Sequence, residues 1–172
     1  MDHILRELEG GDWRSIGRVD RVIAKVLGDP SLFGDLFGGL FEADSIVRMR
    51  SADDIEKISA EQPLLLQPYK PLLIQEVARS EQQEVRWHVA QLLPRLHLTQ
   101  TEQEAAVDTL LNCLEDDSRI VRTCSMQALA DLAQADPGLR PRVVPLLREL
   151  TETGSPAMKS RGRRLLAILA AH

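Results

Sequence analysis

The residues with the chemistry to cleave, coordinate or transfer are few. Four histidines stand at His3, His88, His97 and His172, and two cysteines at Cys113 and Cys124. No two histidines fall at metal-ligand spacing, and no Cys-x-x-Cys occurs. The cysteines fall on successive expected helices, and only Arg119 and Arg122 lie near enough in sequence to favour a thiolate. There is no Walker loop, no dinucleotide glycine fingerprint and no Gly-x-Ser-x-Gly elbow. These features imply no catalytic residue, no metal and no cofactor. What remains is the chemistry of recognition. Trp87 has the bulk of an interface anchor, and His88 beside it could titrate near neutral pH. Residues 153–172 carry Lys159, Arg161, Arg163 and Arg164 and no acid. They form a local charge of +4 on a chain whose other residues sum to −9.

That balance bounds the partner. A net charge of −5 and 3% aromatic residues argue against a general nucleic-acid binder. No apolar run approaches the roughly 18–20 residues that span a bilayer. The first residues, Met-Asp-His-Ile, lack the basic flank and apolar stretch of a signal peptide. A cytoplasmic protein is therefore expected, and the two free cysteines fit that compartment.

The elements that must hold these residues follow from a repeat. Val47-Arg48, Val85-Arg86 and Val121-Arg122 each open a run that is apolar at helical spacing, 38 and 36 residues apart. A degenerate copy begins at Ala157-Met158, another 36 residues on. A period of about 35–45 residues is the signature of stacked helical hairpins. We term the Val-Arg helices B and the helices preceding them A. The B helices are expected over 46–59, 84–96, 119–134 and 156–170. The A helices are expected around Leu72 to Val77, from Thr99 or Thr101 to Leu114, and from Pro141 to Leu150. Thr101 and Glu104 have capping-box spacing. Pro94 should bend the second B helix, and the Pro-Leu-Leu runs at Pro71 and Pro145 should bend two A helices. Ahead of the repeats, residues 2–9 predict a short helical segment ended by Gly10-Gly11. A stripe from Ser15 through Ile16, Val19, Ile23, Val26 and Leu27 predicts a helix stopped by Gly28-Asp29-Pro30. Phe33, Phe37 and Phe41 then share one helical face and are expected in the core; Gly34, Gly38 and Gly39 among them suggest close approach of a neighbour. No segment alternates with period two over a strand's length.

The Val-Arg start, the acid six residues ahead of the arginine (Glu42 before Arg48, Asp116 before Arg122) and the prolines of the A helices resemble the HEAT repeat. Ser80 stands at the acid position before Arg86, a departure from the pattern. The resemblance covers residues 31–172, and the chain also looks like small bacterial HEAT-like proteins. It implies an all-α fold, a right-handed α-α superhelix of about nine or ten helices in antiparallel pairs. Residues 1–172 would form one domain, with 1–30 as degenerate capping helices. It also implies a non-enzymatic scaffold for a protein partner. Other HEAT-like solenoids grip DNA and excise alkylated bases, or handle bilin chromophores, so those functions stand as alternatives.

A helical wheel at about 100° per residue sorts the B helices. Counting from the valine as offset 0, offsets 4, 8 and 11 join it on one face, which is expected to be buried. It comprises Val47, Ser51, Ile55 and Ile58; Val85, Val89, Leu93 and Leu96; Val121, Ser125, Leu129 and Leu132. Arg48, Arg86 and Arg122 flank that face and should reach acids in a ladder. Offsets 2, 3 and 6 point away from it. From these positions we expect the partner-binding residues Met49, Arg50, Trp87, His88, Gln91, Gln127, Lys159 and Arg163. The family resemblance places them on the concave side. Trp87 would be the apolar anchor, and Arg50, Lys159 and Arg163 would steer an acidic segment.

Overall fold

The computed structural model describes residues 4–10 and 19–171. His3, His172 and the first positions of the early stripe, Ser15 and Ile16, lie outside the described residues. The described residues are α-helical and 3-10-helical, with no strand. They fall into two compact units, residues 1–97 and 98–172.

The first unit contains α1 (Val19–Gly28), α2 (Phe33–Gly38), α3 (Ser45–Glu61), α4 (Lys70–Gln75) and α5 (Gln83–Leu92). Its centre is α3, which packs against α1, α2 and α5. Asp44 caps α3 by accepting from the Ile46 backbone N–H at 2.8 Å. Between α3 and α5 the α-helical run is interrupted twice, the first time by Pro63 and Pro68. Pro63–Tyr69 is a 3-10 segment, and Val77–Arg79 is another. A 3-10 turn needs one fewer residue per bond and suits the positions where a missing N–H interrupts the α-helical ladder. Pro94 acts in the same way. The α-helical part of the second B helix stops at Leu92 and continues as the 3-10 turn Leu93–Arg95.

The phenylalanine stripe is split. Phe33 and Phe37 are buried, and the Phe37 ring stacks on Tyr69 with centroids 4.5 Å apart. Phe41 is 49% exposed, because the helix tightens into a 3-10 turn at Gly39–Phe41 and swings it out of register. Two of the three glycines there are explained by contact. A Cβ at Gly34 would lie 2.7 Å from the Tyr69 hydroxyl, and one at Gly39 would collide with Ser51 of α3. Gly38 faces open space. Gly10 has φ +73°, a left-handed conformation that ends the N-terminal segment at little cost for glycine.

The second unit contains α6 (Gln100–Leu114), α7 (Arg119–Ala135), α8 (Arg140–Thr153) and α9 (Pro156–Ala170). Its helices are longer on average and largely uninterrupted, and α8 continues past Pro145. The capping box at the start of α6 is Thr99 with Glu102, not Thr101 with Glu104. Ser118 and Ser155 cap α7 and α9 through the backbone N–H groups of Val121 and Met158. The α8–α9 pair is drawn together at Gly162, where a Cβ would collide with the Thr151 hydroxyl.

Candidate functional site

Each unit presents the B-type helices on which the candidate residues lie, α3 and α5 in the first and α7 and α9 in the second. All twelve positions at offsets 0, 4, 8 and 11 of the first three copies are buried. That burial fixes the direction in which the remaining positions point. The arginines at offset 1 are half-buried, as stems laid on apolar surface should be. Among the described residues Arg48 reaches no carboxylate. Its Nη1 donates to the backbone carbonyls of Glu42 and Ala43 at 2.7 and 2.9 Å, and its Nε donates to Gln82 Oε1 at 2.8 Å. Gln82 in turn donates to the Ser45 carbonyl at 2.9 Å. The turn before α3 and the turn before α5 are thus clasped together by two side chains.

Two candidates that the wheel placed on the wet side are inside the first unit. Arg50 is 3% exposed and donates through Nη1 to the carbonyls of Leu8 and Gly10, both at 2.6 Å. It holds the N-terminal segment against α3. His88 is 7% exposed and faces α3, with Nε2 4.0 Å from Asp53 Oδ1. The physical reason is common to both. Offset 3 lies at about 300° on the wheel, the flank on which a preceding element packs. That element is the N-terminal segment for α3, and α3 itself for α5. A wheel drawn for one helix contains no neighbour.

Burial holds the His88 imidazole below its ordinary pKa, since a charged ring would lose its hydration. Asp53 and Glu56 oppose this by attraction, Lys57 adds to it by repulsion, and the Gln91 side chain opposes it by hydrogen bonding. Asp53 is itself paired with Lys57 at 2.7 Å. Glu56 is paired with Arg95, which also donates to Ser59 Oγ at 2.8 Å. Neutral His88 is therefore the centre of a polar seam between α3 and α5. Trp87 lies at the mouth of that seam, half-buried, its ring centroid 5.6 Å from that of His88. Met49 and Gln91 are half-buried on the same two helices.

In the second unit, Gln127 accepts from Arg161 Nη1 and donates to Asp131 Oδ1, both at 2.8 Å, and so ties α7 to α9. Lys159 is half-buried and Arg163 exposed. Cys113 is buried and Cys124 half-buried. Among the described residues no group of His, Cys, Asp or Glu is gathered as a metal site would need. No described helix is long and apolar enough to cross a membrane.

One feature was not anticipated from the sequence. A cleft of about 490 Å³ runs between α8 and α9, lined by Val144, Arg148, Leu166, Ala167, Leu169 and Ala170. Its signal was present in the last helix. Leu165-Leu166-Ala167-Ile168-Leu169-Ala170 is apolar around most of the circumference, wider than the buried stripe of Met158, Gly162, Leu165 and Leu169 requires.

The family model for HEAT repeats matches residues 71–167. No curated protein matches the chain. Among solved structures, computationally designed armadillo repeat proteins for modular peptide recognition are 18% identical with a TM-score of 0.68, over 96% of this chain and 80% of theirs. A designed armadillo repeat protein in complex with the peptide (KR)4 is 15% identical with a TM-score of 0.67, over the same shares. An engineered protein is 15% identical with a TM-score of 0.66, over 98% of this chain and 78% of its own. At these identities the likeness is one of fold, an all-α repeat solenoid.

Proposed function

As this chain belongs to the HEAT-repeat family, we propose that it is a non-enzymatic scaffold that binds a protein partner along its B-type helices. The function is rigid presentation: packed helix pairs hold a row of side chains in fixed directions, so little ordering entropy is lost when a partner lands. The observation that carries the reading is Trp87. Its indole stands half out of the core on a face whose neighbouring polar groups are already engaged with one another. Such an aromatic gains by being covered, and partly buried tryptophans are frequent interface anchors. Met49 and Gln91 would complete its contact in the first unit. Lys159 and Arg163 in the second unit would favour an acidic segment. Arg50 acts from within by holding the N-terminal segment against α3, and His88 lies in the seam between α3 and α5 beneath Trp87. The peptide-recognising design that shares the fold makes peptide or protein the natural class of ligand.

Quantitative affinity capture from the native host tests this, using wild type and Trp87→Ala with unchanged helical circular dichroism. A partner should be recovered with the wild type and fall at least about tenfold with Trp87→Ala. Equal recovery on the two baits, or none above a bead control, overturns the reading.

A further inference from the structure

We infer that the cleft between α8 and α9 is a docking groove for an amphipathic helix that is acidic on the flanks of its apolar face. The inference rests on the reading of this chain as a protein-binding scaffold and assigns its second unit a partner chemistry, independent of Trp87. On α9, Lys159, Arg163, Leu166, Ala167 and Ala170 fall within an arc of about 100°. All five are half-buried or exposed, beside the buried stripe rather than in it. Along this arc the first two positions are basic and the rest apolar. Across the cleft, α8 supplies Val144 and Arg148, one turn apart. Glu149 and Glu152 lie further round α8 than Arg148, away from Val144.

The result is an apolar trough with cations along it: Arg148 on one wall and Arg163 and Lys159 continuing the other. From Lys159 to Ala170 the arc spans about 16 Å, or three turns of a helix laid alongside. Leucine-sized side chains at i, i+3 or i+4 and i+7 would meet Val144, Leu166 and Ala170. Aspartates or glutamates flanking them would reach Arg148 and Arg163, a match of sign that selects the partner as well as holding it. A second copy of the same surface would set Arg148, Lys159 and Arg163 against their own kind, so charge argues against a self-paired occupant.

Three fluorescent peptides of about 18 residues test this on the full chain: a leucine stripe flanked by glutamate, the same stripe flanked by lysine, and the glutamate peptide with its leucines changed to serine. The first should bind and the other two should bind at least about tenfold more weakly. Arg148→Glu with Arg163→Glu, both at exposed positions, should reverse the preference between the glutamate and lysine peptides. Leu166→Asp should weaken the glutamate peptide, and Trp87→Ala should leave it unchanged. Methyl chemical shifts of Val144, Leu166 and Leu169 should move on titration. The inference fails if the leucine-free peptide binds equally, if the charge reversal has no effect, or if double-stranded DNA displaces the peptide from wild type and Leu166→Asp alike. It also fails if sedimentation reveals self-association that Leu166→Asp abolishes, which would place a second copy in the trough. Loss of peptide binding in Trp87→Ala would tie the site to the first unit and overturn its independence. If capture in the Trp87 experiment fails while these results hold, the Trp87 face falls as the docking surface and this groove remains.

Discussion

The two units use one sequence pattern and bury different things. Beneath its B-type helices the first unit holds Arg50, Ser51, Asp54, Ser59 and His88, while among the described residues of the second only Ser125 is a buried polar group. Their helices differ in the same sense. The first unit is cut by 3-10 segments at Pro63–Tyr69, Val77–Arg79 and Leu93–Arg95, and the second has one short 3-10 turn, Pro137–Leu139. A broken helix leaves carbonyls without intrahelical donors, and side chains must supply them. In the first unit Arg48 and Arg50 do so at Glu42, Ala43, Leu8 and Gly10, and Gln67 and Lys70 do so at Arg95 and His97. The second unit has fewer interruptions to repair and is held mainly by packing of Leu, Val, Met and Ala. The first is thereby specified by directional bonds and the second by volume, and the two should respond differently to substitution and to acid.

Removing Arg50 should have the largest effect. Arg50→Ala strips two charge-assisted bonds from buried or half-buried carbonyls, and should cost about 3 kcal/mol. Urea unfolding measures the loss, and hydrogen exchange should show residues 4–10 released first. A cost below about 0.5 kcal/mol would mean the polar interior of the first unit is incidental.

A volume change should cost somewhat less in the second unit. Gly162→Ala gains about 1 kcal/mol of helix propensity but drives a methyl group into Thr151 across the α8–α9 contact. Overpacking of this kind costs about 1–3 kcal/mol, so a net loss of about 1 kcal/mol is expected. Adding Thr151→Ala should recover part of it, while a stabilised Gly162→Ala would show that packing there is loose.

The smallest and sharpest difference is in pH. The folded-state pKa of His88 lies below its ordinary value of 6.5, because burial disfavours the imidazolium. The folded chain therefore binds fewer protons than the unfolded one in that window. The stability tied to neutral His88 is fully present above about pH 6.5 and is lost as pH falls from there through the folded pKa. His88→Gln should flatten the acid limb of stability relative to wild type between about pH 7 and pH 5. Identical slopes in urea midpoints for the two proteins would remove His88 as the cause.

How much of this was legible in the sequence follows the same division. The buried face of the B helices could be read because period 3.6 carries that information within one helix, and Val47, Val85 and Val121 with their partners are all inside. The helices of the second unit could be read closely, since they depart little from the pattern, although the cleft between α8 and α9 could not. The first could not. Arg50 and His88 carry the offsets of outward residues, and what turns them inward is a backbone carbonyl 40 or more residues away or a carboxylate on another helix. A carbonyl belongs to every residue type and leaves no mark in the sequence. Arg48 shows the point: the ladder predicts an acid beside it, and the acid residue it meets, Glu42, accepts through its main-chain oxygen. The family match begins at residue 71, beyond α3 and its buried polar groups.

The clasp between Arg48 and Gln82 bears on how such a chain can be lengthened or shortened. Arg48 holds the turn ahead of its own helix and grips the Gln82 side chain, while Gln82 holds the Ser45 carbonyl of α3, so neither hairpin is a self-sufficient brick. Cutting a unit out between α3 and α5, or splicing one in, would sever both halves of the clasp at once. Grafted modules should be accepted more readily outside that interval than across it.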